Sequence, residues 1–81
     1  MSLDRQFSRA VACVSNQRLG KLPTPDLLKL YAWYKQATVG ECHTDRPGWF
    51  DGAGRAKWDA WDALGAMDMD EAKQYYIDLV E

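Results

Sequence analysis

The amino-acid sequence predicts an all-α fold, with four helices in one small domain. Apolar residues recur three and four positions apart, which is the spacing of one face of a helix. Residues that branch at Cβ are few and nowhere alternate with polar ones, so the sequence contains no strand pattern. The 81 residues give room for one domain, residues 1–81, and a hydrophobic content of 47% is too high for an intrinsically disordered chain.

The first helix is predicted to run from Ser2 to about Val14 and to end before Gly20. Its apolar residues form one stripe, which would face the core. The stripe consists of Leu3, Phe7, Ala10, Val11 and Val14.

The second helix is predicted to run from Thr24 to Val39 and to stop at Gly40. Thr24 is predicted to cap its free amide groups. Pro25 follows where a missing N–H group costs nothing, and Asp26 suits the positive end of the helix dipole.

A long connection, Gly40–Ala53, separates the second and third helices and has Arg46-Pro47-Gly48 at its middle. Ordered loops of this length are often functional. The third helix is predicted over Gly54–Leu64. The fourth is predicted to continue to the end of the chain from Asp68, which would act as its cap, with Glu71 completing a capping box.

Composition excludes several classes of protein. A net charge of −2 and a pI near 5.3 provide no basic surface for a nucleic acid. The sequence has no apolar run long enough to span a membrane, and its N-terminus does not resemble a signal peptide. We therefore expect a cytoplasmic protein in which Cys13 and Cys42 are free thiols.

Two lysines fall among apolar and aromatic residues of the predicted helices. Lys35 lies in the broad apolar arc of the second helix, and Lys57 lies on the same side of the third helix as Trp61. Three polar residues are predicted to share the solvent side of the second helix: Asp26, Lys29 and Gln36. Each misplaced lysine could extend its ammonium group past apolar neighbours into water. Alternatively, the two lysines could line a cleft for an anionic, aromatic ligand such as a nucleotide.

Four segments carry a family resemblance: Tyr31, the run Tyr34-Lys-Gln-Ala-Thr-Val-Gly40, Arg46-Pro47-Gly48 and Lys57-Trp-Asp-Ala-Trp61. At these intervals they are highly specific, and from about Phe7 to Val80 the chain resembles the acyl-CoA-binding protein family. The resemblance implies a four-helix up-down-down-up bundle whose bowl holds the ligand. It also implies a carrier that binds long-chain fatty acyl-CoA with high affinity, without a cofactor.

Six positions match the family's ligand-binding residues: Leu27, Leu28, Tyr31, Lys35, Lys57 and Tyr76. By this matching, Tyr31 and Lys35 would hold the adenine and 3′-phosphate of CoA, and Lys57 would also hold phosphate. Leu27 and Leu28 would belong to the groove for the acyl chain.

One departure from the family pattern concerns the first helix. Many members carry a phosphate-binding lysine late in this helix, where Ser15 stands here. Arg18 could replace that lysine if the helix continues, because it would fall on the Phe7–Val14 side.

Catalysis is poorly supported. Cys42 and His43 are adjacent, but no third residue would orient them, and the cysteine spacing does not fit a zinc site. We therefore expect a monomeric binding protein without a metal. The competing class is a helical adaptor whose aromatic arc receives a partner helix. In either class, Trp58 and Trp61 are predicted to belong mainly to the core.

Overall fold

The computed structural model describes residues 2–16 and 20–81. Within these ranges the chain forms four helices and no strand, which confirms the predicted all-α class. The helices are α1 (Leu3–Ser15), α2 (Thr24–Thr38), α3 (Gly52–Asp62) and α4 (Met69–Val80). Helix α2 packs against both α3 and α4, and α1 packs against α4.

Three of the helices begin with a side-chain cap, and those of α1 and α4 come from Ser2 and Asp68. The hydroxyl of Ser2 accepts a hydrogen bond from the amide of Arg5 at 3.2 Å. The carboxylate of Asp68 accepts from the amides of Asp70 and Glu71 at 3.0 and 3.3 Å. The predicted cap at Asp68 is therefore confirmed, and such a cap stabilises a helix by about 1 kcal/mol.

The start of α2 differs from the prediction. Thr24 is the first helical residue, not the cap, and Pro23 precedes it without a side-chain hydrogen bond. The carbonyl of Pro23 accepts from the amides of Asp26 and Leu27, each at 3.1 Å. Pro25 has no N–H group, so these are the first amides after it that need an acceptor, and the Pro23 carbonyl serves both.

Helix α3 begins at Gly52, two residues before the predicted start, because Asp51 caps it. The Asp51 carboxylate accepts from the amide of Gly54 at 2.9 Å. A Cβ atom at position 54 would collide with this carboxylate, so glycine permits the close approach. At the other end of the connection, α2 stops before Gly40, as predicted, and Gly40 has a φ of 101°.

The core lies where α1, α2 and α4 meet. Phe7 and Ala10 of the predicted α1 stripe are buried there, and the other three stripe residues pack against them. The rings of Phe7 and Tyr76 meet edge to face, with centroids 5.2 Å apart. The buried cluster consists of Phe7, Ala10, Leu30, Ala37, Ala72, Tyr76 and Ile77.

Gln36 corrects the predicted solvent face of α2, because its side chain has no exposed surface at all. Its Nε2 atom donates to the carbonyls of Gly65 and Met67 at 3.0 and 2.7 Å. Its Oε1 atom is buried without a hydrogen-bond partner among the described residues. The Gln36 amide thus ties the turn between α3 and α4, which contains Gly65 at a φ of 59°, to the side of α2.

Replacement of Gln36 by alanine is expected to lower the free energy of unfolding by about 2–3 kcal/mol. The change removes two hydrogen bonds, leaves their carbonyl acceptors unpaired and opens a cavity. Urea unfolding followed by circular dichroism measures the loss. Gln74→Ala is the control, because Gln74 is exposed and its side chain donates to Asp78 one turn away at 2.9 Å. An equal loss in both variants would contradict the role of Gln36.

Candidate functional site

Helices α2 and α3 and the connection between them enclose a cleft of about 290 Å³. Helix α2 contributes Tyr31 and Lys35, and α3 contributes Lys57 together with two tryptophans. The full lining is Tyr31, Lys35, Thr44, Asp45, Pro47, Gly54, Lys57, Trp58 and Trp61. The cleft therefore brings together three of the residues that sequence analysis assigns to a ligand.

Each lysine of the cleft lies over an aromatic ring of the opposite helix. The Nζ atom of Lys35 is 4.9 Å from the centroid of the Trp61 ring, and that of Lys57 is 5.6 Å from the centroid of the Tyr31 ring. Both distances fall within the range of cation–π attraction, which stabilises a pair by about 0.5–2 kcal/mol. Lys35 is half-buried and Lys57 is exposed. The two reciprocal pairs link α2 to α3 across the cleft.

The two tryptophans of α3 attach the connection to this helix. The indole N–H of Trp58 donates to the carbonyl and the hydroxyl of Thr44, at 3.0 and 3.1 Å. The indole N–H of Trp61 donates to the carbonyl of Gly40 at 2.9 Å. Trp61 is buried, in agreement with its predicted place in the core, but it also lines the cleft. The signal that could have revealed this second role is the placement of both tryptophans beside Lys57 in the sequence.

The Arg46-Pro47-Gly48 segment is held by two arginines. The guanidinium of Arg46 donates from Nε and Nη2 to the two carboxylate oxygens of Asp59 at 3.0 and 2.8 Å. This hydrogen bonding raises the pKa of Arg46 above its ordinary value. Arg55 donates from Nε to the carbonyl of Pro47 at 3.0 Å. Because the Arg46–Asp59 pair is exposed, its main effect is to fix the position of the loop rather than to add stability.

Charge in the cleft is mixed but favours anions. The lining contains two ammonium groups, those of Lys35 and Lys57, and one carboxylate, that of Asp45. Ammonium groups bind phosphate as point charges, and the neighbouring rings offer faces on which a planar base can stack. The arrangement suits a ligand that carries both a phosphate group and an aromatic ring.

Three other predicted residues lie outside the lining of the cleft. Leu27 and Leu28 are on α2, one turn before Tyr31, and the Leu27 side chain is 46% exposed. Tyr76 is buried in the core against Phe7. Their assignment to a ligand stays a prediction.

The positive charge predicted near the end of α1 concerns residues at or beyond the end of the described range 2–16. Arg18 lies outside the described residues. Ser15, at the position of the family's lysine, is exposed at the last residue of α1.

A larger cavity of about 490 Å³ lies between α1 and the end of α4, but its chemistry is different. Among the described residues that line it, Arg9 supplies the positive charge and none has an aromatic ring. None of the described residues in its lining is one that sequence analysis assigns to a ligand. The cleft between α2 and α3 is therefore the candidate site.

Other kinds of site receive no support from residues 2–16 and 20–81. Cys13 and Cys42 are not joined by a disulfide, as predicted, and the Cys42 sulfur lies 3.7 Å from the hydroxyl of Thr44. These ranges hold no group of three or more His, Cys, Asp or Glu residues that could bind a metal ion. None of the helices found there is long and apolar enough to cross a membrane.

A four-helix bundle with a cationic and aromatic cleft defines a ligand-binding domain of a helical type. The chain matches the family model "Acyl CoA binding protein" over residues 4–80. It therefore belongs to the acyl-CoA-binding protein family, as its motifs predicted. Membership in this family identifies the domain as a binding domain and supports acyl-CoA binding in general.

Solved structures share the fold along nearly the whole chain. The "Acyl-CoA-Binding Protein 2" of Oryza sativa superposes with a TM-score of 0.84 at 37% identity, covering 98% of this chain and 87% of that one. The acyl CoA binding protein of Babesia bovis has a TM-score of 0.84 at 41% identity, covering 99% and 90%. The predicted fold of the acyl-CoA-binding protein type is thus confirmed.

The curated relatives are much longer than this chain. Human "Acyl-CoA-binding domain-containing protein 4" is 43% identical over 76 residues, 90% of this chain and 28% of that protein. Human "Enoyl-CoA delta isomerase 2" is 58% identical over 53 residues, 65% of this chain and 14% of that protein. The chain spans less than a third of either relative, so the similarity concerns one domain of each.

Stability above pH 10 should depend on Tyr76. Burial raises the pKa of the Tyr76 hydroxyl above its ordinary value of 10.0, with smaller contributions from Tyr34 and Cys13. The unfolded chain therefore loses this proton at lower pH than the folded chain, so stability falls as pH rises above 10. We expect Tyr76→Phe to lose less stability than the wild type between pH 9 and pH 11 in urea unfolding. An identical decline in both proteins would contradict this role for Tyr76.

Proposed function

We propose that this domain, residues 1–81, binds long-chain fatty acyl-CoA esters with high affinity and acts as a carrier that sequesters the acyl chain. One observation supports the proposal above the others. Lys35 and Lys57 come from different helices, and each lies over a ring of the other helix at the edge of one cleft. Membership in the family indicates the class of ligand. The side chains of the cleft suit the nucleotide end of an acyl-CoA molecule.

In the proposed complex, Lys35 and Lys57 bind the 3′-phosphate of CoA, and Tyr31 stacks on its adenine. The Lys57 ammonium lies 5.6 Å from the centroid of the Tyr31 ring. The base of a bound nucleotide would stack on the face of the Tyr31 ring, and its phosphate would attract the Lys57 ammonium group. The exchange replaces a weak cation–π contact by charge-assisted hydrogen bonds, which stabilise a complex by about 1.5–3 kcal/mol each.

The acyl chain would continue from the nucleotide end along the N-terminal part of α2. Leu27 is four residues before Tyr31, which is about 6 Å along a helix, and its side chain is 46% exposed. Burying about ten methylene groups beside Leu27 and Leu28 would contribute roughly 8 kcal/mol before the cost of association, which is about 4–15 kcal/mol. Tight binding therefore needs both ends of the ligand.

The remaining features of the proposal come from the family resemblance. Tyr76 would contact the ligand from α4, and Arg18 would contribute a positive charge in place of the family's lysine. We propose a monomer that binds one ligand in the cytoplasm and performs no chemistry on it. The alternative, an adaptor for a partner helix, accounts for neither the paired lysines nor membership in the family.

Discrimination among ligands tests whether both ends are needed. Palmitoyl-CoA should bind at least about a hundredfold more tightly than free CoA or palmitate, because each of these lacks one of the two contributions. Calorimetric titration of all three in one buffer also gives the number of ligands per chain, expected to be one. Palmitate binding as tightly as its CoA ester would exclude the nucleotide end from recognition.

Alanine substitutions separate ligand-binding lysines from lysines that only pack. Lys35→Ala and Lys57→Ala should each weaken binding of palmitoyl-CoA by about 1.5–3 kcal/mol, the range for hydrogen bonds to charged groups. The free energy of unfolding should fall by no more than about 0.5–2 kcal/mol, the contribution of the lost cation–π contact. The loss of affinity should shrink with dephospho-CoA esters, which lack the 3′-phosphate.

Lys29→Ala is the matched control for these variants, because Lys29 is an exposed lysine of the same helix. It should bind palmitoyl-CoA like the wild type and melt at the same temperature. If both Lys35→Ala and Lys57→Ala keep wild-type affinity, the site assignment is wrong even if the protein binds acyl-CoA.

A further inference from the structure

The connection between α2 and α3 displays two aromatic side chains to solvent. The amide of Asp51 donates to the carbonyl of Gly48 at 3.0 Å and closes a four-residue turn with Trp49 and Phe50 at its centre. These side chains are 83% and 81% exposed, whereas the next most exposed large apolar residue that the structure describes, Val39, is 60% exposed. We call Trp49 and Phe50 the aromatic tip.

The aromatic tip is supported by hydrogen bonds and packing on both sides. The Phe50 ring lies so close to Gly48 that a Cβ atom there would come within 2.5 Å of the ring. Before the turn, Pro47 accepts the hydrogen bond of Arg55, and after it Asp51 caps α3. The two rings also meet edge to face, with centroids 6.3 Å apart. A preformed turn loses little conformational freedom when it binds, so this geometry favours association.

The tip follows a residue of the cleft wall in the sequence. Pro47 lines the cleft, and Trp49 is two residues further along the chain. Neither Trp49 nor Phe50 is part of the cleft lining. A surface that receives the tip would therefore lie near residues of the cleft wall.

We propose that Trp49 and Phe50 dock this protein on the surface of an electrically neutral lipid bilayer, beside the cleft. Exposed aromatic side chains partition into the interfacial region of a bilayer, where polar and apolar groups meet. The tip would insert shallowly and hold the cleft mouth at the membrane surface. Its part in exchanging acyl-CoA between membrane and cleft rests on the proposed function, whereas docking itself does not.

The size of the tip favours a bilayer over a protein partner. Two large aromatic side chains bury about 300–500 Å² when covered, whereas each partner of a specific protein interface of standard size buries about 800 Å². Insertion into a bilayer needs no complementary surface of that size.

The charged groups around the tip indicate whether the bilayer surface is neutral or anionic. Arg46 is paired with Asp59, Arg55 bonds to a carbonyl and Asp51 caps a helix, so the flanking charged groups are already engaged. The whole chain has a net charge of −2, which disfavours an anionic membrane. A zwitterionic surface therefore fits this turn better than an acidic one.

Quenching by brominated phosphatidylcholine tests the proposal directly. With vesicles of this lipid, the emission of the wild-type protein should be quenched, and Trp49→Phe should lose most of that quenching while it keeps an aromatic tip. In co-sedimentation with plain phosphatidylcholine vesicles, the double variant Trp49→Ser/Phe50→Ser should bind at least about tenfold more weakly than the wild type. Met69→Ser, at an exposed apolar residue of α4, is the control and should bind like the wild type.

Three results would overturn docking by the tip. These are equal sedimentation of the wild type and the double variant, quenching that persists in Trp49→Phe, and binding that requires anionic lipid. In vesicle-free buffer the double variant should bind palmitoyl-CoA with wild-type affinity. If the wild type itself fails to bind palmitoyl-CoA in vesicle-free buffer, the proposed function and the proposed role in acyl-CoA exchange are both wrong. The vesicle assays still show whether the tip docks on a bilayer.

Discussion

A single buried amide ties the turn after α3 to α2, and these two helices form the cleft. Gln36 donates to the carbonyls of Gly65 and Met67, so the turn between α3 and α4 is fixed against α2. Helix α3 ends just before that turn, and it carries Lys57 and Trp61. The distance between each lysine and its ring partner therefore depends on a hydrogen-bonded contact outside the cleft. Because Gln36 directly follows Lys35, neighbouring residues of α2 serve the core and the cleft.

Two lysines of the cleft lie near aromatic rings because each is paired with a ring of the opposite helix. Lys35 faces the Trp61 ring and Lys57 faces the Tyr31 ring, so each ammonium has an electrostatic partner in the cleft. In our proposal, these weak contacts are exchanged for contacts with phosphate. The tryptophan N–H groups meanwhile bond to the connecting loop, so the same rings also hold the wall of the cleft. Preorganisation of this kind lowers the entropy that binding costs.

Aromatic residues are divided among three tasks, which is economical in a chain of 81 residues. Phe7 and Tyr76 fill the core with an edge-to-face contact. Tyr31 and Trp61 line the cleft and pair with its lysines. In our proposal, the exposed Trp49 and its neighbour in the turn serve a surface outside the protein. The loop between α2 and α3 thus connects the proposed nucleotide site to the proposed membrane contact.

Local sequence determined the helices and most of their ends, because periodicity, caps and glycine stops act within a few residues. The predicted start of α3 was wrong because Asp51 lies in a loop with no apolar periodicity to mark it as a cap. Periodicity also placed Lys35 and Lys57 among rings, but it could not show that each pairs with the opposite helix. It placed Gln36 in solvent because a polar residue is assumed to face water, whereas its partners are 29 and 31 residues away in the chain. Only tertiary structure brings those carbonyls to α2, and a polar side chain can be buried where such partners satisfy it.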